Sequence, residues 1–170
     1  MREEIFDHVR SLRRYALVLT RDSDEAEDLV QEALTKALAG AGLFSPERDL
    51  RVWLFSILHN THVSRLRRKR TAFNAQHYLA QEDSRPASQT AHLELREVLD
   101  CLAKLPDDQR RAVALVGLES MSYAQAAKVL GVPMGTLMSR LARGREALRR
   151  MTEGAPEQDA VGSVRQGARR

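Results

Sequence analysis

Apolar residues recur along this chain at steps of three and four, the period that lines one face of an α-helix. Ile5, Val9, Leu12, Ala16 and Leu19 make the first such stripe. Asp22 is placed to cap a second helix, with Glu25 three residues on as its partner in a capping box. There Ala26, Leu29, Val30, Ala33, Leu34, Ala37 and Leu38 form the packing face, and Gly40 and Gly42 end the element. Ser45-Pro46 reads as a cap followed by proline at the first helical position. It opens a third helix with Leu50, Trp53, Leu54, Ile57, Leu58 and Thr61 inward, which runs on into a basic block without a breaker.

From Thr71 to about Ala91 the period fails, and Asn74, Gln76, Gln81, Ser84, Pro86 and Ser88 mark a polar, flexible linker. Beyond it, Leu93, Leu95, Val98, Leu99 and Leu102 open a helix that stops before Pro106, and Ala112, Val113, Leu115 and Val116 mark another. Ser122, with Gln125 as box partner, starts a helix through Leu130; the turn Gly131-Val132-Pro133 leads to a last helix ending near Met151. No alternating β-branched run occurs. The expectation is an all-α protein of two small helical domains, 1–71 and 92–151, joined by the linker 72–91 and followed by a disordered tail, 152–170.

At 170 residues with 43% apolar content, the chain can bury a core, although aromatics are only 5%. No run of about 18 apolar residues exists, so no membrane insertion is expected. Met-Arg-Glu-Glu at the start has no apolar h-region, which argues against export. The single cysteine, Cys101, excludes an internal disulfide and zinc-finger spacings. A cytoplasmic protein is expected. Net charge is only +4, but its distribution is uneven. Asp22, Asp24, Glu25, Glu27, Asp28 and Glu32 form an acidic block with no base among them; five of the six residues 65–70 are basic; Arg140, Arg143, Arg145, Arg149 and Arg150 face one acid, Glu146. Separated blocks of opposite sign suggest different partners for different surfaces.

The unit from Ser122 to Arg145 has the form of a helix-turn-helix. Gly131 supplies the positive φ of its turn; Ala124, Ala126 and Ala127 let its helices approach; Leu130, Val132, Leu137 and Leu141 can form its core. Its second helix would turn Thr136, Ser139, Arg140 and Arg143 outward, hydroxyls and guanidinium forks of the kind that read base edges in a major groove. Along the third helix, Asn60, His62 and Ser64 precede Arg65, Arg67, Arg68, Lys69 and Arg70, a mixture suited to a strand with exposed bases. Trp53 lies on the apolar stripe and reads as core. His59 and His62 could ligate a metal, but no acid or cysteine stands beside them at helical spacing. Cys101 reads as a small buried thiol. No P-loop, HExxH motif, nucleophile elbow or apolar carboxylate pair is present, so no cofactor and no catalytic residue is expected.

Five runs in fixed order resemble a known family: DEAEDLVQE at 24–32, WLFSILHN at 53–60, LP at 105–106, SYAQAAKVLGVP at 122–133 and GTLMSRLARGR at 135–145. Together, over roughly residues 5–150, the chain resembles the extracytoplasmic-function (ECF) sigma factors of bacterial RNA polymerase. The resemblance implies a first domain, region 2, whose acidic second helix grips the β′ clamp helices of the polymerase core through Asp24, Glu27, Asp28, Gln31 and Glu32. It implies reading of the −10 promoter element by Asn60, Ser64, Arg65, Arg67, Arg68, Lys69 and Arg70. It implies a second domain, region 4, that meets the β flap and reads the −35 element through Ser122, Thr136, Ser139, Arg140, Arg143 and Arg145. An anti-sigma factor is implied as a further partner. The chain departs from the family at Ser64, often Asp, at Met134, often β-branched, and at Gly144, often Ala. The run Leu29–Leu38, with Trp53-Leu54-Phe55 and Asn60-Thr61, also resembles the general-stress subgroup of alphaproteobacteria. The rival reading is a stand-alone dimeric helix-turn-helix regulator, which would bind a palindrome by itself and would have no need for the acidic helix. A recombinase lacks a visible activated nucleophile, and a sigma mimic would need a phosphoreceiver domain for which 170 residues leave no room.

Overall fold

A computed structural model describes residues 2–45, 47–75 and 93–153. Seven helices form there: α1 (Arg2–Thr20), α2 (Ser23–Ala39), α3 (Leu50–Ala75), α4 (Leu93–Ala103), α5 (Asp107–Val113), α6 (Tyr123–Leu130) and α7 (Met134–Glu153). A short 3₁₀ turn (Ala41–Leu43) follows α2, and a π-helical turn (Ala114–Leu118) extends α5. Two helical domains result, α1–α3 and α4–α7. Most of the expected linker and tail lies outside the described residues; α3 continues to Ala75 and α7 to Glu153.

The caps explain most of the boundaries. Asp22 accepts from the Glu25 N–H at 2.8 Å. Ser122 Oγ accepts from Gln125 N–H (3.2 Å), while Ser122 N–H donates to Gln125 Oε1 (2.9 Å), so the α6 capping box is complete. Gly131 takes φ +63° at the end of α6, as the tight turn requires. The α3 start differs from expectation. Asp49, not Ser45, caps it by accepting from Val52 N–H at 3.1 Å, and α3 begins at Leu50.

In the first domain Leu12, Tyr15, Ala16, Leu29, Val30, Ala37, Phe55 and Leu58 are fully buried. Trp53 is half-buried, stacked in a tilted pair on Phe44 with ring centroids 4.8 Å apart. In the second, Ala126, Ala127, Leu137 and Leu141 are buried as expected, but Ala124 is exposed and takes no part in the helix approach. Cys101 is half-buried and lines an apolar cavity of about 370 Å³ with Val98, Leu102, Val113, Leu118 and Leu148.

Gly144 has a packing reason. Read from sequence, it weakens α7 by about 1 kcal/mol against alanine. In the fold it is buried where α7 crosses α5, and a Cβ there would stand 2.7 Å from Val113 Cγ2. Valine is stiff at χ1 and cannot swing aside. Gly144→Ala is therefore expected to destabilise by about 1 kcal/mol net, an overpacking loss exceeding the helix gain. Chemical denaturation would show it, and Gly144→Ala with Val113→Ala would recover the overpacking loss; a stabilised single mutant would contradict this packing.

The two domains are packed on one another. Glu119, 1% exposed, ends the π turn and faces the first domain. Arg14 of α1 donates to both of its carboxylate oxygens, Nε to Oε1 at 2.7 Å and Nη2 to Oε2 at 2.8 Å. Arg51 of α3 reaches Oε2 at 3.5 Å and also donates to the Glu119 carbonyl. Asp49 Oδ2 accepts from Gln125 Nε2 at 2.6 Å, so the caps of α3 and α6 are joined directly. Ser120, at φ +51°, then reverses the chain into α6.

Candidate polymerase and nucleic-acid interfaces

Acidic residues of α2 occupy two settings. Asp24, Asp28 and Gln31 are exposed. Glu27 is paired with Arg13 (2.7 Å), whose guanidinium holds its carboxyl below the usual range. Glu32 is held by Lys36 at 2.8 Å and Arg65 at 2.7 Å, which keep its carboxyl low, and Arg68 stands 3.7 Å away. Glu25 is bridged to Lys69 at 2.9 Å. The acidic and basic blocks therefore touch, where the sequence suggested separate surfaces. The cause is the antiparallel α2–α3 hairpin, which lays the acidic first turns of α2 beside the basic later turns of α3. Asp24 and Asp28 make no ion pair with the described residues, and they are the carboxylates left facing outward.

Along α3, Asn60, Ser64, Arg67, Arg68 and Arg70 are exposed, while Arg65 is half-buried and also donates to the Asp28 carbonyl at 3.1 Å. Arg67 and Arg70 make no ion pair with the described residues. Beside Asn60 and Ser64 a cavity of about 380 Å³ opens between α2 and α3, lined also by Lys36, Gly40, Trp53, Ile57 and Thr61. Trp53 and Ile57 give it an aromatic and apolar wall and Lys36, Asn60, Thr61 and Ser64 a polar one, a pairing that suits a stacked, unpaired base. Lys36 Nζ and Thr61 Oγ1, 3.2 Å apart, close one wall. His59 and His62 point inward and are buried, with Tyr15 Oη 3.3 Å from His59 Nδ1.

On α7, Ser139 and Arg143 are joined at 2.8 Å on the outer surface. Arg145 is exposed and donates to Tyr123 Oη at 3.2 Å, and Ser122 is exposed at the α6 cap. Thr136 is half-buried. Arg140 leans back to Asp108 of α5, 3.4 Å away, and is half-buried. Ser139 and Arg143 thus share one accessible surface, Arg145 stands on another side of α7 beside Tyr123, and Arg140 is held by Asp108. Sequence reasoning missed Arg14, Arg51, Asp49 and Glu119, which join the domains. The one available signal was a lone acid, Glu119, closing the apolar run 112–118.

The sequence family described as "Sigma-70, region 4" matches residues 95–148, and the one described as "Sigma2 domain of PhyR" matches residues 5–59. The chain is 43% identical over 149 residues to the ECF RNA polymerase sigma factor EcfG of Rhodopseudomonas palustris, covering 87% of this chain and 82% of that one. It belongs to the ECF sigma factor family. Members are non-enzymatic transcription initiation factors that bind the polymerase core and promoter DNA. The ECF sigma factor SigM of Mycobacterium tuberculosis is 38% identical over 146 residues, covering 85% of this chain and 72% of SigM. Among solved structures, the sigma factor RpoE of Bartonella quintana, in complex with the anti-sigma factor NepR, superposes with a TM-score of 0.77 at 32% identity, over 91% of this chain and 98% of that one. CnrH, in complex with the cytosolic domain of CnrY, gives 0.67 at 26% over 91% and 88%. The Sigma2 match falls within α1–α3 and the region 4 match within α4–α7. None of the described helices is long and apolar enough to cross a membrane.

Proposed function

We propose that this chain is a promoter-specificity subunit acting in the cytoplasm, with no reaction of its own, held in check by an anti-sigma factor of the NepR kind and released in a stress response. The observation that carries the reading is the likeness to EcfG running through both domains; the match of region 2 to the PhyR domain and the RpoE–NepR superposition support the inhibitor class. The outward carboxylates Asp24 and Asp28 on α2 meet the β′ clamp helices. Asn60 and Ser64, at the mouth of the α2–α3 cavity, take an unpaired base of the −10 element while Arg67 and Arg70 follow the phosphates. Ser139, Arg143 and Arg145 of α7 enter the major groove at the −35 element.

The positions −10 and −35 are about 25 base pairs apart, or about 85 Å of duplex at 3.4 Å per step. A body in which Asp49 and Gln125 are hydrogen-bonded cannot span that length. Region 2 and region 4 must part when the promoter is read, and the Glu119 cluster is what must open.

Run-off transcription tests the reading. Core polymerase with the chain is expected to start at discrete sites on genomic fragments, and a NepR-type protein is expected to silence them; initiation unchanged by the chain would contradict it. For the polymerase face, Asp24→Arg with Asp28→Arg is expected to lower core affinity by at least about tenfold, because like charges set against one another cost several kcal/mol. Both residues are exposed, so the fold should survive. Glu32 is a poor probe, since reversing it would break the α2–α3 seam. Unaltered affinity in the Asp24, Asp28 variant would move the polymerase contact elsewhere.

A further inference from the structure

The reading helix carries an apolar strip among its arginines. Met138 is 51% exposed and Met134, one turn earlier, 41% exposed. The inward side of α7 is already filled by Leu137, Leu141 and Gly144, so neither methionine is needed for packing. Helical spacing puts Gly135, Met138, Ser139 and Ala142 on one outward face. Gly135 and Ala142 are exposed, and a Cβ on Gly135 would meet no atom within 4 Å. Met138 is therefore a half-exposed, flexible thioether among small residues, on a helix that also carries Arg143 and Arg145.

A large exposed apolar side chain on an arginine-rich helix is poorly matched to water. It is well matched to a major groove, where phosphates flank the base edges and the one apolar group presented is the thymine 5-methyl. Methionine adapts its shape to such a contact. We propose that Met138 is a specificity-determining residue of region 4, packing on the 5-methyl group of a thymine in the −35 element. The inference rests on the promoter reading above and adds the base that α7 selects by an apolar contact.

The test uses holoenzyme assembled from core polymerase and the full chain, on a promoter fragment recovered by run-off transcription. Each thymine of the −35 region is replaced in turn by deoxyuridine, which removes only the methyl group. At one thymine the replacement is expected to weaken binding about fourfold, the worth of one buried methyl group. Met138→Ala is expected to bind the thymine and deoxyuridine versions of that position equally, and Met138→Leu to keep a difference. Indifference of the wild-type holoenzyme to every replacement overturns the proposal, and so does a Met138→Ala variant that keeps the full difference at each thymine. If Met138→Ala instead weakens assembly with core polymerase and leaves the thymine preference intact, the strip is a protein contact and the proposal fails. A chain that directs no initiation at all defeats the promoter reading itself, a different result from initiation that ignores the methyl groups.

Discussion

Lowering the pH from 7 to 5 is expected to remove several kcal/mol from the stability of the folded chain. His59 and His62 are 6% and 7% exposed on the inner face of α3. Burial, and after it the charge of Arg111, holds both rings down to about 4 from an ordinary 6.5; on His62 Asp107 opposes this, followed by Arg110 in the lowering direction and then Glu25 in the raising one. The unfolded chain takes up protons near 6.5 while the folded chain does not until about 4. Stability is therefore complete above 6.5, falls as pH drops through this window and levels off below it. Each ring contributes about 2 kcal/mol to the loss by pH 5. The low carboxyls of Glu27 and Glu32 act in the same direction only further down, through the acid range, and they lie near the surface where solvent screens them. Urea unfolding at pH 7.5 and pH 5 would measure the effect, and His59→Gln with His62→Gln should flatten the dependence whatever it does to absolute stability. Equal midpoints at the two pH values would mean that the rings are not buried neutral.

Glu119→Ala is expected to give the second large effect, a loss of about 2–3 kcal/mol together with separation of the domains in solution. Removing one member of a buried ion pair costs about 3–5 kcal/mol. The figure is reduced here because Arg14 and Arg51 keep 31% and 29% of their side-chain surface exposed and can regain water. The same principle supplies a control. Replacing the whole cluster, with Arg14→Met, Arg51→Met and Glu119→Leu, leaves no unpaired charge and should recover much of the stability. Small-angle scattering should show a larger radius of gyration for Glu119→Ala than for the wild type. An unchanged radius and unchanged stability would show that the cluster does not hold the two helical domains together.

The helices were legible because their causes are local. The stripes of α1, α2 and α3, the Asp22 and Ser122 caps and the Gly131 turn each depend on residues within a few positions, and they stand in the fold, except that Leu38 at the end of the α2 stripe is exposed and Glu25 reaches Lys69 instead of closing a box on Asp22. What escaped depends on distance in the chain. Glu119 meets Arg14 across 105 positions, and no spacing rule connects them. The meeting of Glu32 with Arg65 needs the hairpin turn that brings α2 back along α3, so charge blocks well apart in sequence looked like separate surfaces. Gly144 shows the same limit with opposite sign: its local propensity predicts weakness, and only the crossing with Val113 makes it necessary. Of the candidate DNA contacts, the outward pointing of Ser139 and Arg143 follows from helical period, whereas the Arg140–Asp108 pair does not.

The most direct measurement places a photocrosslinker at position 28 or at position 143 of the chain, in holoenzyme bound to a promoter it transcribes. Crosslinking from 28 to a polymerase subunit and from 143 to duplex some 35 positions upstream of the start would support an acidic α2 serving the enzyme while α7 serves the DNA. Crosslinks from 28 to DNA, or from 143 to polymerase alone, would contradict it.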